Sequence, residues 1–141
     1  MIREFETFNI FRLPMCSKVR GEYIEQGLTI LNIKNLGLTF TYKSMKYVKL
    51  SSKITQNYFP ETLGKMYVIN ASGMFSAIWA MVKPFIDDKT RLKIHVFQED
   101  FLNELLKDVE KSNLPKLIGG DCDCKEFGGC LFSDKGPWNP Y

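Results

Sequence analysis

Three cysteines near the end of the chain, Cys122, Cys124 and Cys130, are the residues whose types could bind a metal ion. A structural zinc site needs a complete tetrahedral ligand set, usually built from cysteine pairs separated by a few residues. The Cys-x-Cys spacing is tighter than that, and the remaining cysteine, Cys16, is roughly a hundred positions away. We therefore predict no metal site and no cofactor. Because no secretory signal is visible, we expect free thiols.

His95 is the only histidine, so catalysis that depends on a histidine would have to centre on it. It stands among apolar residues, where a hydrogen-bonded structural histidine is the ordinary interpretation. The sequence contains no G-x-S-x-G, H-E-x-x-H or P-loop motif. We therefore expect no catalytic residues and a protein that is not an enzyme.

The composition of the chain is that of a globular domain. Hydrophobic residues make up 45% and charged residues 25% of its 141 residues. The formal net charge of +3 is small and the lysines are scattered, so we expect no nucleic-acid partner. No apolar run is long enough to span a membrane. The N-terminus carries acidic residues where a signal peptide would need an apolar run. We expect a cytoplasmic monomer that contacts membrane surfaces only transiently.

Three segments rich in branched and aromatic residues are predicted to be β-strands. They are residues 28–33, 65–71 and 92–97. Helical segments separate the last two, and right-handed crossovers of this kind join parallel strands. We therefore predict an α/β fold with a mostly parallel or mixed sheet flanked by helices. One more short strand is predicted at Gly129 to Phe132, within a tail rich in Cys, Gly and Pro.

Amphipathic patterns predict three further helices. They are residues 2–26, 41–58 and 101–109. Pro14 should kink or split the first of them. The apolar stripe of the second consists of Tyr47, Leu50, Ile54 and Tyr58. Three lysines beside this stripe are interpreted as a solvated surface rather than a membrane-docking patch.

The segment from Gly73 to Ile86 is a predicted helix without a polar face. Its apolar arc consists of Met74, Phe75, Ile78, Trp79, Val82, Phe85 and Ile86. The opposite arc holds small residues, with Lys83 as its only charge. Such a helix is either buried in the core, or lines an apolar ligand pocket, or contacts a bilayer. Periodicity leaves these alternatives open. Pro84, near the end of the helix, could serve as a hinge.

A series of segments, taken in order, resembles one protein family. The central segment runs from Asn57 to Ala71, and matching segments follow at residues 83–87, 90–96 and between Gly119 and Trp138. This series is similar to the CRAL-TRIO lipid-binding domain, and within that family to Sec-fourteen-like phosphatidylinositol/phosphatidylcholine transfer proteins. The resemblance implies a sheet that forms the floor of a large apolar pocket. It also implies that the helix at residues 73–86 is a movable gate.

The resemblance further implies which residues bind the lipid. Glu61, Thr90 and Lys93 match the positions that hold a phosphatidylinositol headgroup. Lys93 would bind the phosphodiester, and the other two residues would bind inositol hydroxyls. The gate and pocket lining would consist of Met74, Phe75, Ile78, Trp79, Val82 and Phe85.

The positions that match the phosphatidylcholine contacts of the family are Gly27, Thr29 and Thr55. Thr29 and Thr55 retain a hydroxyl, whereas Gly27 does not. We therefore expect phosphatidylinositol to be favoured over phosphatidylcholine as the bound ligand. A sterol or tocopherol is an alternative ligand. An alternative function is a lipid-sensing or protein-interaction role without catalysis or net transfer.

The family pattern begins upstream of the first residue of this chain. We therefore expect a single partial CRAL-TRIO domain, incomplete at its N-terminus. It would contain a helical entry at residues 1–27, a pocket core at 28–118 and an irregular tail at 119–141. The resemblance implies phospholipid binding and transfer between membranes, with a peripheral location at Golgi or endosomal membranes and a role in vesicle trafficking.

Overall fold

The computed structural model describes residues 2–35, 47, 50–55, 57–58, 61–73 and 75–139. Its described residues form two compact units, Met1–Glu99 and Asp100–Tyr141. The last boundary predicted from the sequence, the start of the irregular tail, lies later in the chain, at residue 119. No helix in these ranges has both the length and the apolar character needed to cross a membrane.

The N-terminal helical segment changes its hydrogen-bonding pattern next to its proline. It consists of α1 (Ile2–Thr7), a π-helical turn (Phe8–Arg12) and α2 (Leu13–Arg20), with Pro14 in the first turn of α2. The backbone stays right-handed helical at Thr7, Arg12 and Leu13. The predicted effect of Pro14 therefore takes the form of a π-helical turn before it and not of a break. The predicted extent to residue 26 is wrong, because Gly21 adopts a left-handed conformation with φ of 72° and ends the helix.

A single side chain fixes the loop between α2 and the first strand. The hydroxyl of Ser17 donates to the carbonyl of Leu13 at 2.9 Å and accepts the N–H of Ile24 at 2.8 Å. Three residues after Ile24, the N–H of Gly27 donates to the carbonyl of Thr62 at 3.0 Å. The loop therefore delivers the chain directly into the sheet.

Three parallel strands form the sheet of the first unit. They are β1 (Gly27–Asn32), β2 (Leu63–Ile69) and β3 (Ile94–Val96), in the order β1-β2-β3. The predicted parallel pairing is confirmed. β2 is central, and its last three residues, Tyr67, Val68 and Ile69, are buried. The ring of His95 lies 5.8 Å from that of Tyr67, an arrangement that agrees with a structural histidine.

The connection from β2 to β3 contains the predicted gate. It consists of α3 (Phe75–Val82), a 3₁₀ turn (Lys83–Phe85) and α4 (Asp88–Leu92). Pro84 lies within the 3₁₀ turn, and the backbone is extended again at Ile86. The described residues between 47 and 58 are helical, as predicted. The rest of the predicted helix 41–58 lies outside the described residues.

The second unit is built mainly from turns. It contains α5 (Phe101–Leu105) and 3₁₀ turns at Lys111–Asn113, Lys116–Ile118 and Lys125–Phe127. Leu105 and Leu114 are fully buried. The predicted helix 101–109 is confirmed only over its first half. The predicted strand at Gly129 to Phe132 is wrong, because Gly129 has φ of 118° and its carbonyl accepts the N–H of Phe132 within a turn.

Candidate functional site

Glu61 and Lys93 meet near one edge of the sheet. Glu61 precedes β2 and Lys93 directly precedes β3. Because the two strands are parallel neighbours, the segments that lead into them approach the same edge. The Nζ atom of Lys93 donates to Oε2 of Glu61 at 3.1 Å. The structure thus joins two of the three predicted headgroup residues, although they are 32 positions apart.

The Glu61–Lys93 ion pair contributes little to stability. The Glu61 side chain is 63% exposed and that of Lys93 is 25% exposed. Ion pairs with this much solvent contact contribute about 0–1 kcal/mol. Glu61 also has a left-handed backbone with φ of 63°, which is uncommon outside glycine and tends to occur in ligand-binding segments. The geometry is that of a positioned pair of charges rather than of a structural brace.

Thr90 stands one helical turn before Lys93. The N–H of Lys93 donates to the carbonyl of Thr90 at 3.1 Å, and the N–H of Thr90 donates to Oδ1 of Asp87 at 2.9 Å. The hydroxyl of Thr90, followed by its N–H, lowers the pKa of Asp87 below its usual range, because both stabilise the carboxylate. Asp87 is therefore the N-cap of α4 and orients Thr90.

Asp87 has a positioning role that the sequence analysis did not assign. Its local signal is present, since an aspartate followed three residues later by a hydrogen-bonding partner is typical of a helix N-terminus. The sequence patterns assign residues 87–91 to no element, although most of α4 lies there. They predict that the third strand begins at residue 92, whereas α4 extends to Leu92 and Lys93 is its C-cap.

Glu61 also lines a cleft. Its volume is about 410 Å³, and Glu61 and Thr62 line it together with residues of α2 and the following loop, including Leu13, Ser17 and Tyr23. The lining is mixed in polarity. The helical entry therefore borders the same residue that pairs with Lys93, a proximity that no local sequence pattern indicates.

The predicted choline-side residues are separate from this cluster. Thr29 is exposed on β1, where its register partner is Met66. The hydroxyl of Thr55 donates to backbone carbonyls in the preceding turn of its own helix, at 3.0 Å each. Among the described residues, the hydrogen bonds that join Glu61, Lys93 and Thr90 do not extend to Thr29 or Thr55.

Phe8 fills the space that a side chain at position 27 would occupy. A β-carbon built on Gly27 would collide with the end of the Phe8 ring. The π-helical turn thus covers the position at which the family pattern has a hydroxyl. The missing hydroxyl is accordingly replaced by an aromatic surface rather than by open space.

Helix α3, which lies in the predicted gate, has one buried face and one exposed apolar face. Ile78 is buried, and the rings of Phe75 and Trp79 stack with their centroids 6.2 Å apart. Met81 on α3 and Phe85 in the following 3₁₀ turn are exposed, at 44% and 40% of their surface. The helix is therefore not a core helix buried on all sides. Trp79 and Val82 are half-buried, whereas Met74 lies outside the described residues.

One hydrogen bond joins the turn after α3 to a neighbouring helical segment. The hydroxyl of Ser52 donates to the carbonyl of Phe85 at 2.8 Å. This bond joins the 3₁₀ turn after α3 to the helical residues 50–55. It is exposed to solvent, so its net contribution to holding the turn is small.

Comparisons with known proteins match nearly the whole chain. The model of the CRAL/TRIO domain matches residues 2–120. The phosphatidylinositol/phosphatidylcholine transfer protein SFH11 of Arabidopsis thaliana is 40% identical over 139 residues, which are 98% of this chain and 37% of that protein. The Sec14 cytosolic factor of Schizosaccharomyces pombe is 39% identical over 139 residues, which are 99% of this chain and 48% of that protein.

The chain spans less than half the length of these two curated relatives. Among solved structures, the crystal structure of Sfh5 matches with a TM-score of 0.53 at 23% identity, over 62% of this chain and 30% of that one. At this level of identity the structural match supports the fold alone.

Proposed function

Because this chain belongs to the CRAL-TRIO family of lipid-binding domains, we propose that it binds a phospholipid through Glu61, Thr90 and Lys93. The preferred ligand in this proposal is phosphatidylinositol, and the activity is transfer of that lipid between membranes. The family resemblance found in the sequence is confirmed. The ligand, the roles of the residues and the transfer activity are the proposal.

The observation that carries the proposal is the ion pair between Lys93 and Glu61 beside Thr90. An ammonium group binds a phosphodiester as a point charge. A carboxylate accepts hydrogen bonds from hydroxyls, and a threonine hydroxyl both donates and accepts them. The three side chains together therefore suit a ligand that carries one phosphate and several hydroxyls, which describes an inositol phospholipid.

The exposed apolar face of α3 supports a ligand with acyl chains. Apolar side chains at 40% exposure or more have water as their neighbour in the absence of a ligand or bilayer. Covering them with acyl chains or membrane lipid would contribute about 25 cal/mol for each Å² removed from water. In the proposal, α3 covers the acyl chains when closed and contacts the bilayer when open.

Two contacts support a preference for inositol over choline lipids. The Phe8 ring occupies the space beside Gly27, and the Thr55 hydroxyl donates to its own helix. Both contacts weaken the choline-side positions. On the inositol side, Lys93 donates to Glu61, and the Asp87 cap fixes Thr90 one helical turn before Lys93.

We further propose that the chain acts in the cytoplasm, at the surface of Golgi or endosomal membranes, in support of vesicle trafficking. The Schizosaccharomyces pombe relative is named a cytosolic factor, which supports the first part. No contact described above selects a particular membrane, so the Golgi or endosomal location is tested by fractionation of cells that express the tagged chain. Recovery in another fraction would refute it.

The deciding experiment compares Lys93→Ala with Lys89→Ala. Lys89 lies on the same short helix, is exposed, and has no assigned role in the site. Phosphatidylinositol and phosphatidylcholine bound to each purified protein are quantified by mass spectrometry, and transfer of each lipid is measured between vesicles. We expect Lys93→Ala to lower phosphatidylinositol binding about tenfold, in line with the loss of one charge-assisted hydrogen bond, and to spare phosphatidylcholine.

Other outcomes would contradict the proposal in distinct ways. If Lys93→Ala lowers the binding of both lipids equally, or if Lys89→Ala lowers phosphatidylinositol binding as much as Lys93→Ala does, the role proposed for Lys93 is wrong. A bound sterol or tocopherol instead of phospholipid would replace the ligand. If phospholipid binds but is not transferred, and a chain extended upstream does not transfer it either, the lipid-sensing role is favoured.

A further inference from the structure

The second compact unit brings three cysteine sulfurs together. The Sγ atoms of Cys122 and Cys124 are 3.3 Å apart, and those of Cys130 and Cys122 are 3.8 Å apart. All three sulfurs lie within 4.8 Å of one another. Cys124 is buried and the other two are half-buried. None of the three takes part in the proposed lipid site.

The backbone around these cysteines is shaped to produce the cluster. Cys124 has a left-handed conformation with φ of 44°, and Gly128 and Gly129 also have positive φ. The N–H of Gly129 donates to the carbonyl of Cys124 at 3.0 Å. This closes a tight loop that returns Cys130 towards Cys122, where its thiol donates to the Cys122 carbonyl at 3.3 Å.

Cys122 is held in place from the other side. Its N–H donates to the carbonyl of Leu114 at 3.0 Å, and its carbonyl accepts the N–H of Lys116 at 2.8 Å. Gly120 permits this approach, because a β-carbon there would collide with the Leu114 carbonyl. Two independent backbone devices thus converge on one group of sulfurs.

We propose that Cys122, Cys124 and Cys130 bind one thiophilic metal ion, Zn²⁺, as a three-thiolate site. Zinc–sulfur bonds of about 2.3 Å in a tetrahedral site place the sulfurs about 3.8 Å apart. The observed separations require shifts of about an ångström or less to reach that value. The fourth position is taken by solvent or another non-protein ligand. Thiolates favour soft metals such as zinc and Cu(I) over Mg²⁺ and Ca²⁺, and tetrahedral thiolate coordination is typical of zinc.

The charge balance of this site is favourable. Binding of Zn²⁺ releases the three thiol protons to solvent and leaves the complex with one net negative charge. Asp123, between two of the ligands, pairs with both Lys116 at 2.7 Å and Lys125 at 3.5 Å. One carboxylate with two ammonium groups leaves one net positive charge next to the complex. The two charges offset each other.

A disulfide is the competing fate of clustered thiols. A disulfide requires a sulfur–sulfur distance of about 2.05 Å and a restricted dihedral angle. A pair taken from this cluster would leave one cysteine over, whereas a metal ion uses all three. The proposal opposes the prediction of no metal site, which considered only spacing along the chain and not the return of the loop.

The test uses the full chain, purified with a non-thiol reductant and supplied with Zn²⁺. After dialysis we expect about one zinc ion per chain by elemental analysis. The serine variants of Cys122, Cys124 and Cys130 should each lose this ion, and Cys16→Ser should retain it. Cysteine Cys16 lies in α2 of the first unit, so it is the matched control.

Two further readouts keep the proposal testable if a variant does not fold. Co²⁺ added to the wild-type chain should give thiolate charge-transfer and tetrahedral d–d absorption that saturates at one equivalent and is displaced by Zn²⁺. Maleimide labelling with Zn²⁺ present should modify Cys16 alone, and chelation should expose the remaining cysteines.

The proposal is overturned if the wild-type chain shows no cobalt charge-transfer band and no stoichiometric zinc. Copper retained in place of zinc overturns the choice of ion. Loss of the metal in Cys16→Ser, or a non-reduced mass lower by two hydrogens under metal loading, overturns the three-thiolate site. Lipid loading is measured on the same samples and can fail or succeed independently.

Discussion

The two compact units place their chemically active side chains by different means. In Met1–Glu99, parallel strands bring Glu61 to Lys93, and the Asp87 cap fixes Thr90 one helical turn before Lys93. In Asp100–Tyr141, left-handed residues and close glycine contacts gather three cysteines. Register follows from apolar patterns that a sequence displays, whereas tight turns depend on single backbone angles. Parallel strand pairing can therefore be predicted from a sequence pattern, whereas the loop closure cannot.

The largest expected effect tests whether β2 is the centre of the first unit. Ile69 is fully buried in β2, so Ile69→Ala should lower the free energy of unfolding by about 2–5 kcal/mol. Leu31, on β1, is half exposed and is the control, with a smaller expected loss. Urea unfolding of both variants provides the measurement. A greater loss from Leu31→Ala would contradict the central position of β2.

The next effect tests the turn-built unit. Gly120→Ala should lower the free energy of unfolding by about 1–3 kcal/mol, because the added methyl collides with the Leu114 carbonyl. A methyl at Gly73 meets nothing within 4 Å and φ is not positive there, so Gly73→Ala is the matched control. Equal unfolding midpoints for the two variants would show that the close approach at Gly120 is not a constraint.

A smaller effect concerns the helix cap that orients Thr90. Asp87→Ala should destabilise the chain by about 0.5–1 kcal/mol at neutral pH, the lower part of the range for a cap because the site is exposed. The folded-state pKa of Asp87 lies below its ordinary value of 3.8. The stabilisation by the cap is therefore present above that value and is lost as the pH falls through the folded-state pKa.

The difference between wild type and Asp87→Ala should accordingly shrink below about pH 4, where the carboxylate begins to be protonated in the unfolded chain. Thermal unfolding at a series of pH values measures this difference. Asp87→Asn is the companion variant, since it keeps a capping oxygen without the charge. A difference that grows towards low pH would contradict the cap.

The smallest effect on stability is expected at the ion pair. Glu61→Gln should change the free energy of unfolding by less than about 1 kcal/mol, because the pair is solvent-exposed. Phosphatidylinositol loading of the same variant should fall, since a carboxylate partner for the inositol hydroxyls is lost. A large loss of stability with unchanged loading would reverse the interpretation of the pair as a binding device.

The sequence predicted the parallel sheet because branched residues mark each strand and helices separate the last two. It misplaced the end of the first helix, which depends on the left-handed Gly21 and on the Ser17 hydroxyl. It also turned Gly129 to Phe132 into a strand, although its glycine has a φ that no strand adopts. Periodicity reports which face is apolar and does not report individual backbone angles.

The candidate lipid site came from family resemblance, and strand register explains only part of it. Glu61 and Lys93 approach because parallel strands begin at one edge, a consequence that follows once the pairing is known. The cap by Asp87 and the Phe8 ring beside Gly27 depend on tertiary contacts. The three cysteines were considered together as metal ligands and rejected on their spacing, because the spacing rules of paired zinc ligands do not describe a loop closure that returns Cys130 to Cys122.

The ammonium group of Lys93 is already paired with the carboxylate of Glu61. In the proposed function, an arriving phosphodiester would therefore substitute for a resident anion rather than approach a bare cation. Each step would trade one anion for another at the same ammonium group, so the exchange resembles competition between two ligands. The released carboxylate would then be free to accept hydrogen bonds from the inositol hydroxyls, so both members of the ion pair would exchange one partner for another.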